Sequence, residues 1–147
     1  MELEVKWSYE ERKGNIFEDL EGDIYLVHCI SNDFALGAGI ARQIEIRYNI
    51  KQYLKDNFYQ KEFIPRCILT KNIFNLVTKE FYWYKPTYKT LTSALIDLES
   101  QVQELQIKEL HMPKIGCGLD RLEWTKVKAI IEEIFQEDEI KIVVYSL

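Results

Sequence analysis

Twice in this chain an apolar run gives way, within a few positions, to a glycine loop and then to an amphipathic helix. The first unit is Tyr25-Leu26-Val27-His28-Cys29-Ile30, a connection over Ser31-Asn32-Asp33-Phe34-Ala35-Leu36, and then Gly37-Ala38-Gly39-Ile40-Ala41. The second is the run Lys108 to His111, then Met112-Pro113-Lys114-Ile115-Gly116-Cys117-Gly118-Leu119-Asp120, ahead of a strongly periodic helix. Continuous apolar runs fit strands covered on both faces. Strands alternating with helices build a layered α/β fold. The glycines permit positive φ and close approach of a ligand to the backbone. Backbone N–H groups in such loops hold phosphate without any cationic side chain. Two of these units in one small chain suggest a pocket for a diphosphate. Neither loop is a complete known fingerprint: Arg42 stands where a dinucleotide motif has its third glycine, and no Gly-Lys-Ser/Thr follows as in a Walker loop.

The remaining periodicities extend this reading. Leu3-Glu4-Val5-Lys6-Trp7 alternates as a half-buried strand, and Lys13-Gly14-Asn15 turns. Ile40, Ala41, Ile44 and Tyr48 recur at helical spacing, predicting one helix from near Gly39 to about Lys55. Cys67–Thr70 and Ile73–Thr78 read as a hairpin across Lys71-Asn72. Pro86 suits the first turn of a helix whose stripe is Leu91, Leu95, Leu98, Val102 and Leu105. Glu109–Met112 is a further strand, Val127 to Phe135 the last helix and Lys141–Leu147 the last strand. One domain spanning 1–147 is expected at this length.

Composition excludes several classes. No stretch is long and apolar enough to cross a membrane, and the acidic start is unlike a signal peptide. The net charge of −5 argues against broad electrostatic binding of duplex nucleic acid. Recognition of one modified base or strand end stays open. Cys29, Cys67 and Cys117 are odd in number and form no CxxC pair, which fits a reduced, cytoplasmic chain. Cys117, between glycines, is either a nucleophile or a small side chain turned inward; the inward reading is preferred. His28 and His111 lie in apolar strands and read as core or supporting residues. No metal or cofactor is expected.

Gly37-Ala38-Gly39-Ile40-Ala41, Lys85-Pro86-Thr87-Tyr88 and above all Met112-Pro113-Lys114-Ile115-Gly116-Cys117-Gly118-Leu119-Asp120-Arg121-Leu122-Glu123-Trp124 resemble a macrodomain. The subgroup is that of terminal ADP-ribose protein glycohydrolase, related to macrodomain antitoxins that strip ADP-ribose from DNA. The resemblance runs from about Lys13 to Leu147. It implies a three-layer α/β/α fold with a mixed sheet of about six strands and an ADP-ribose cleft at the strand ends. Ser31 and Gly37, Ala38, Gly39 and Ile40 would then lie by the distal ribose and phosphates. Lys114, Ile115, Gly116, Cys117, Gly118, Leu119 and Asp120 would wrap the diphosphate and distal ribose. Asn15, Ile16 and Leu147 would flank the adenosine. Asn15 departs from the subgroup, which usually has an acidic residue there to accept from the adenine amino group. The neutral amide keeps a carbonyl acceptor, so binding is expected to survive, weakened.

The resemblance also implies the chemistry. Lys79 would attack the distal ribose, and Asp120 would move the proton. A free lysine, with a pKa of about 10.4, is mostly a non-nucleophilic ammonium at neutral pH, so the site must desolvate it or offer a proton acceptor. Taken alone, Lys79 reads as a solvated strand end, and Asp120 with Glu123 has capping-box spacing. Phe81-Tyr82-Trp83-Tyr84 reads either as a stacking platform for a base or as ordinary packing beneath the Pro86 helix, the latter preferred. The implied activity is hydrolysis of mono-ADP-ribose from Glu or Asp esters on proteins, from nucleic-acid bases, or from both, with O-acetyl-ADP-ribose as a further substrate. The alternative is a module that binds ADP-ribose without turnover. The partners are ADP-ribose and ADP-ribosylated protein or nucleic acid, without a membrane, and the chain is expected to be a monomer.

Overall fold

The structure is a computed structural model that describes residues 7–20 and 22–146. The elements are β1 (Trp7–Lys13), a 3-10 turn (Ile16–Glu18), β2 (Tyr25–Ser31), α1 (Gly39–Tyr48), α2 (Lys51–Phe58), β3 (Arg66–Thr70), β4 (Ile73–Lys79), α3 (Tyr88–Glu104), β5 (Glu109–Pro113), α4 (Trp124–Phe135) and β6 (Ile140–Ser146). The strands form one mixed sheet in the order β1-β6-β5-β2-β4-β3. Every neighbouring pair is parallel except β3 and β4. The carboxyl ends of five strands therefore share one edge of the sheet, where open α/β folds bind ligands.

Two apolar clusters cover the faces. One joins α3 and α4 to the sheet through Leu91, Leu95, Leu98, Val127, Ile131 and Phe135. The other holds Ile44, Ile50 and Leu54 of the α1–α2 segment against Leu26, Ile30, Ile73 and Val77. The result is the expected three-layer α/β/α arrangement with a mixed six-stranded sheet. β4 is buried at every position but Lys79, which explains why it is apolar apart from Asn75 and Thr78. Among the described residues no helix is long and apolar enough to cross a membrane.

Three expectations need correction. The expected strand over Leu3–Trp7 falls almost wholly outside the described residues, and what needs correction is its end, since strand continues past Trp7 to Lys13 as β1. Among the described residues it is an edge strand, laddered to β6 alone, so charged side chains such as Glu11 and Lys13 face water and mask the strand pattern. The single helix from Gly39 to Lys55 is two. Asn49 takes a left-handed φ of 52° and its N–H bonds to Glu45 O, closing α1. The Glu45 carboxylate then accepts from Lys51 N–H at 2.9 Å and starts α2. Pro86 precedes its helix rather than opening it. Thr87 is the N-cap, and Thr87 and Thr90 exchange backbone-to-hydroxyl bonds at 3.0 Å each.

The open edge of β3 is covered from α3. The Asp97 carboxylate accepts from Cys67 N–H at 2.7 Å, and the Gln101 amide donates to Cys67 O at 2.7 Å. In the middle of the sheet, Asn75 is a buried hub. Its amide donates to Ile68 O and Thr70 Oγ1, and its Oδ1 faces His28 Nε2. His28 Nε2 therefore carries the hydrogen, while Nδ1 is buried without a partner. Burial pushes the His28 imidazole down to about 4, because a second proton would put a charge where nothing solvates it. The unfolded chain binds that proton at an ordinary histidine value, so folding stability falls as pH drops below that value. Between pH 7 and pH 5 this group alone removes about 2 kcal/mol. Denaturant midpoints across that range check the slope, and His28→Gln should flatten it.

Candidate active site

The shared carboxyl edge gathers four chain segments. Lys79 ends β4, Ser31 ends β2, Pro113 ends β5, and the turn after β1 carries Asn15 and Ile16. A register shift between Ile30 and Ser31 sets Ser31 opposite Lys79. Asn32 N–H then donates to Lys79 O at 2.8 Å. Asp33 organises the bend that follows. Its Oδ1 accepts from the Ser31 hydroxyl and from Ala35 N–H, and its Oδ2 accepts from Tyr82 N–H at 3.0 Å. Phe34, at φ 52°, is buried beneath the bend. The chain then reaches Gly37, Ala38 and Gly39, which are exposed, with Ile40 half-buried. Ala38 is the N-cap of α1 and brings no side-chain cap, so the first N–H groups of this helix stay available to an anion.

The second glycine loop is wound back on itself. Cys117 N–H bonds to Lys114 O, Arg121 N–H to Gly118 O, and Leu122 N–H to Gly116 O at 2.7 Å. Gly116 has φ +73°, and a Cβ there would sit 3.0 Å from Leu122 Cδ1. Lys85 Nζ donates to Leu119 O at 2.6 Å, tying the loop to the segment before α3. Leu119 itself is exposed, and its Cδ1 lies 3.6 Å from where a Cβ on Gly39 would stand. The two glycine loops thus face each other across the strand ends.

Between them, Lys79 Nζ and Asp120 Oδ1 are 2.6 Å apart, each side chain 14% exposed. This pair settles the capping alternative. Asp120 is turned to Lys79, while the N-cap of α4 is Glu123, which makes no side-chain cap bond. Cys29 lies beside the pair: burial first, then the Asp120 charge, pushes its thiol up to about 12, so it stays a thiol. Cys117 matches its inward reading. Its Sγ–H donates to Ile115 O, and burial raises its thiol. Among the described residues no group of three His, Cys, Asp or Glu side chains is placed to hold a metal.

At the far side of the edge, Ile16 is buried, and Asn15 caps the 3-10 turn with its Oδ1 accepting Phe17 N–H at 2.9 Å. The carbonyl expected to face an adenine amino group is thus already serving the turn, with one lone pair left. Leu147 lies outside the described residues. The aromatic run corrects an expectation. Phe81 and Trp83 stack at 4.8 Å and 6°, but Tyr82, Trp83 and Tyr84 are 64%, 61% and 45% exposed. They pack on one another instead of under the helix, where Pro86 is buried.

Sequence reasoning missed the role of Asp33, one of whose partners, Tyr82, is 49 positions away. An Asp following a strand end is a turn signal in itself.

No family model matches the chain. It is 38% identical over 148 residues to the ADP-ribose glycohydrolase OARD1 of Bos taurus, covering 94% of this chain and 96% of that protein. It is 26% identical over 132 residues to a DNA ADP-ribosyl glycohydrolase of Thermus aquaticus, covering 82% of this chain and 37% of that protein. The macrodomain of Thermus aquaticus DarG superimposes with a TM-score of 0.81 at 24% identity, over 96% of this chain and 99% of that one.

Proposed function

Because this chain belongs to the ADP-ribose glycohydrolase OARD1 family and has the macrodomain fold, we propose that it is an ADP-ribosyl hydrolase working through Lys79 and Asp120. The observation that carries the reading is the 2.6 Å contact of these two side chains between two glycine loops. The loops cradle the diphosphate through backbone N–H groups, with Ser31, Gly37, Ala38, Gly39 and Ile40 on one side and Lys114 to Leu119 on the other. Asn15 and Ile16 flank the adenosine.

In this reading Asp120 takes a proton from Lys79 Nζ. The free amine attacks the anomeric carbon of the distal ribose, and the bond from that carbon to the carrier oxygen breaks. The carrier carboxylate leaves with the electron pair. Asp120 passes its proton back to Nζ as the carbon–nitrogen bond breaks, water adds to the same carbon, and the water's surplus proton leaves to solvent. ADP-ribose is released and the pair is restored. O-acetyl-ADP-ribose presents the same ribose to the same pair and is a second substrate. Release of ADP-ribose from a Glu-linked ADP-ribosylated protein tests the activity, and mass spectrometry of acid-quenched enzyme tests for an adduct on Lys79. Intact enzyme that binds ADP-ribose yet releases none from protein or DNA carriers would be a reader.

The exposed aromatic turn two positions beyond Lys79 supports nucleic acid among the carriers, since an unpaired base stacks on such rings. Trp83→Ala should cost about tenfold on an ADP-ribosylated single strand and little on protein. Equal losses on both carriers would remove the stacking role. The reading is completed by a monomer in the reducing cytoplasm, supported by three free cysteines.

A further inference from the structure

A chain of polar side chains connects the core to the turn that carries Asn15 and Ile16. His111, in β5, is 1% exposed. Its Nε2 meets Glu109 Oε2 at 2.5 Å, and its Nδ1 meets the Tyr145 phenol at 2.8 Å. The phenol donates to Asp19 Oδ2 at 2.8 Å and accepts from Arg12 Nη1 at 3.1 Å. Arg12 also reaches Asp19 at 3.3 Å. Asp19 closes the 3-10 turn, its N–H on Ile16 O.

Counting hydrogens along this chain fixes its state. The phenol has one hydrogen, committed to Asp19, and one lone pair taken by Arg12. Its remaining lone pair meets His111 Nδ1, so Nδ1 must carry a hydrogen. Nε2 faces a carboxylate oxygen, so a second hydrogen must lie between those two atoms. His111 and Glu109 together therefore hold two protons. Removing one leaves Nε2–H on Glu109 and a bare Nδ1. The phenol hydrogen then turns to Nδ1, and Asp19 keeps only Arg12.

We propose that Tyr145, held by His111 and Glu109, is a positioning residue that fixes the Asn15–Asp19 turn, and that the proton count of the His111–Glu109 pair sets how tightly the turn is held. The groups facing His111 are Glu109 on its own strand and Tyr145 on β6; Asp19 and Arg12 lie one step further, and the β2 residue paired with it is Leu26, which does not titrate. The bonds from Tyr145 and Arg12 hold the Asp19 carboxyl below its ordinary value. The functional consequence rests on the adenosine placement proposed above; the hydrogen-bond chain does not.

The test has two arms. In the first, Tyr145→Phe removes the phenol hydrogen. The Kd for ADP-ribose should rise about tenfold, the loss of one hydrogen bond to a charged group, with kcat within about twofold. Wild-type affinity should weaken as pH rises through loss of the pair's proton, and the variant should not follow. Asp19→Asn, which keeps an acceptor for the phenol, should bind better than Tyr145→Phe. In the second, amide exchange at Glu18 and Asp19, whose N–H groups close the turn, should speed up in Tyr145→Phe, and nitrogen NMR of wild type should show both His111 nitrogens protonated at low pH. Unchanged exchange and a neutral His111 throughout would overturn the proposal. Faster exchange in a protein that never binds ADP-ribose would keep the positioning role and overturn the ligand reading instead. Weaker binding at all pH values alike would overturn the proton dependence.

Discussion

Lys79→Ala stops turnover while ADP-ribose still binds. The rate of release from a Glu-linked carrier falls on the order of a thousandfold or more, the scale seen when a nucleophile is removed from a site whose binding groups remain. Binding persists because the proposed phosphate contacts come from backbone N–H groups of two loops that do not depend on the lysine. The variant leaves Asp120, 14% exposed, without its cationic partner, so stability should be measured beside activity. Asp120→Asn tests the proton transfer and is expected to lose on the order of a hundredfold. The double variant should be no slower than Lys79→Ala, because the two groups act as one unit. Turnover preserved in Lys79→Ala would move the chemistry elsewhere in the cleft.

Gly116→Val costs about 3 kcal/mol of stability and disorders the loop it sits in. A φ of +73° is a left-handed conformation that a β-branched residue resists by about 1–2 kcal/mol. The added Cβ meets Leu122 Cδ1 at 3.0 Å and Leu91 Cδ2 at 3.7 Å, inside a packed region where overfilling costs about 1–3 kcal/mol more. Thermal melting measures the first effect and ADP-ribose titration the second. Gly39→Ala is the informative contrast. It shares a positive φ of +57°, but its Cβ would meet only Leu119 at an ordinary 3.6 Å, so its stability loss should be the smaller. Equal losses at the two positions would mean that φ, and not crowding against Leu122, governs the loop.

The central strands are legible because parallel strands covered on both faces are mostly apolar, as Leu26 to Ile30 and Ile73 to Val77 are apart from the paired His28 and Asn75. β1 is not, because a strand with one neighbour needs no such run and carries Glu10, Glu11 and Arg12. The break at Asn49 is hidden because Ile44 and Leu54 bury themselves on the same cluster from two helices and imitate one stripe. Lys79 and Asp120 are 41 positions apart, and spacing alone gives each a plain structural role; only the resemblance suggests the pair. The link from Lys85 to Leu119 O and the Asp33 bond to Tyr82 N–H are long-range hydrogen bonds of ordinary surface residue types. Nothing in local periodicity encodes them.

The cover that α3 lays over β3 has a consequence for how this sheet behaves toward other chains. A strand adding at that edge would need the N–H and carbonyl of Cys67, and both are already occupied by Asp97 and Gln101. The incoming chain would have to displace a carboxylate and an amide and leave them a new place to bond, a cost that ordinary strand addition does not meet. Replacing both side chains with alanine would therefore unmask a sticky margin, and the first sign would be aggregation that grows with protein concentration at unchanged catalytic rate per folded molecule.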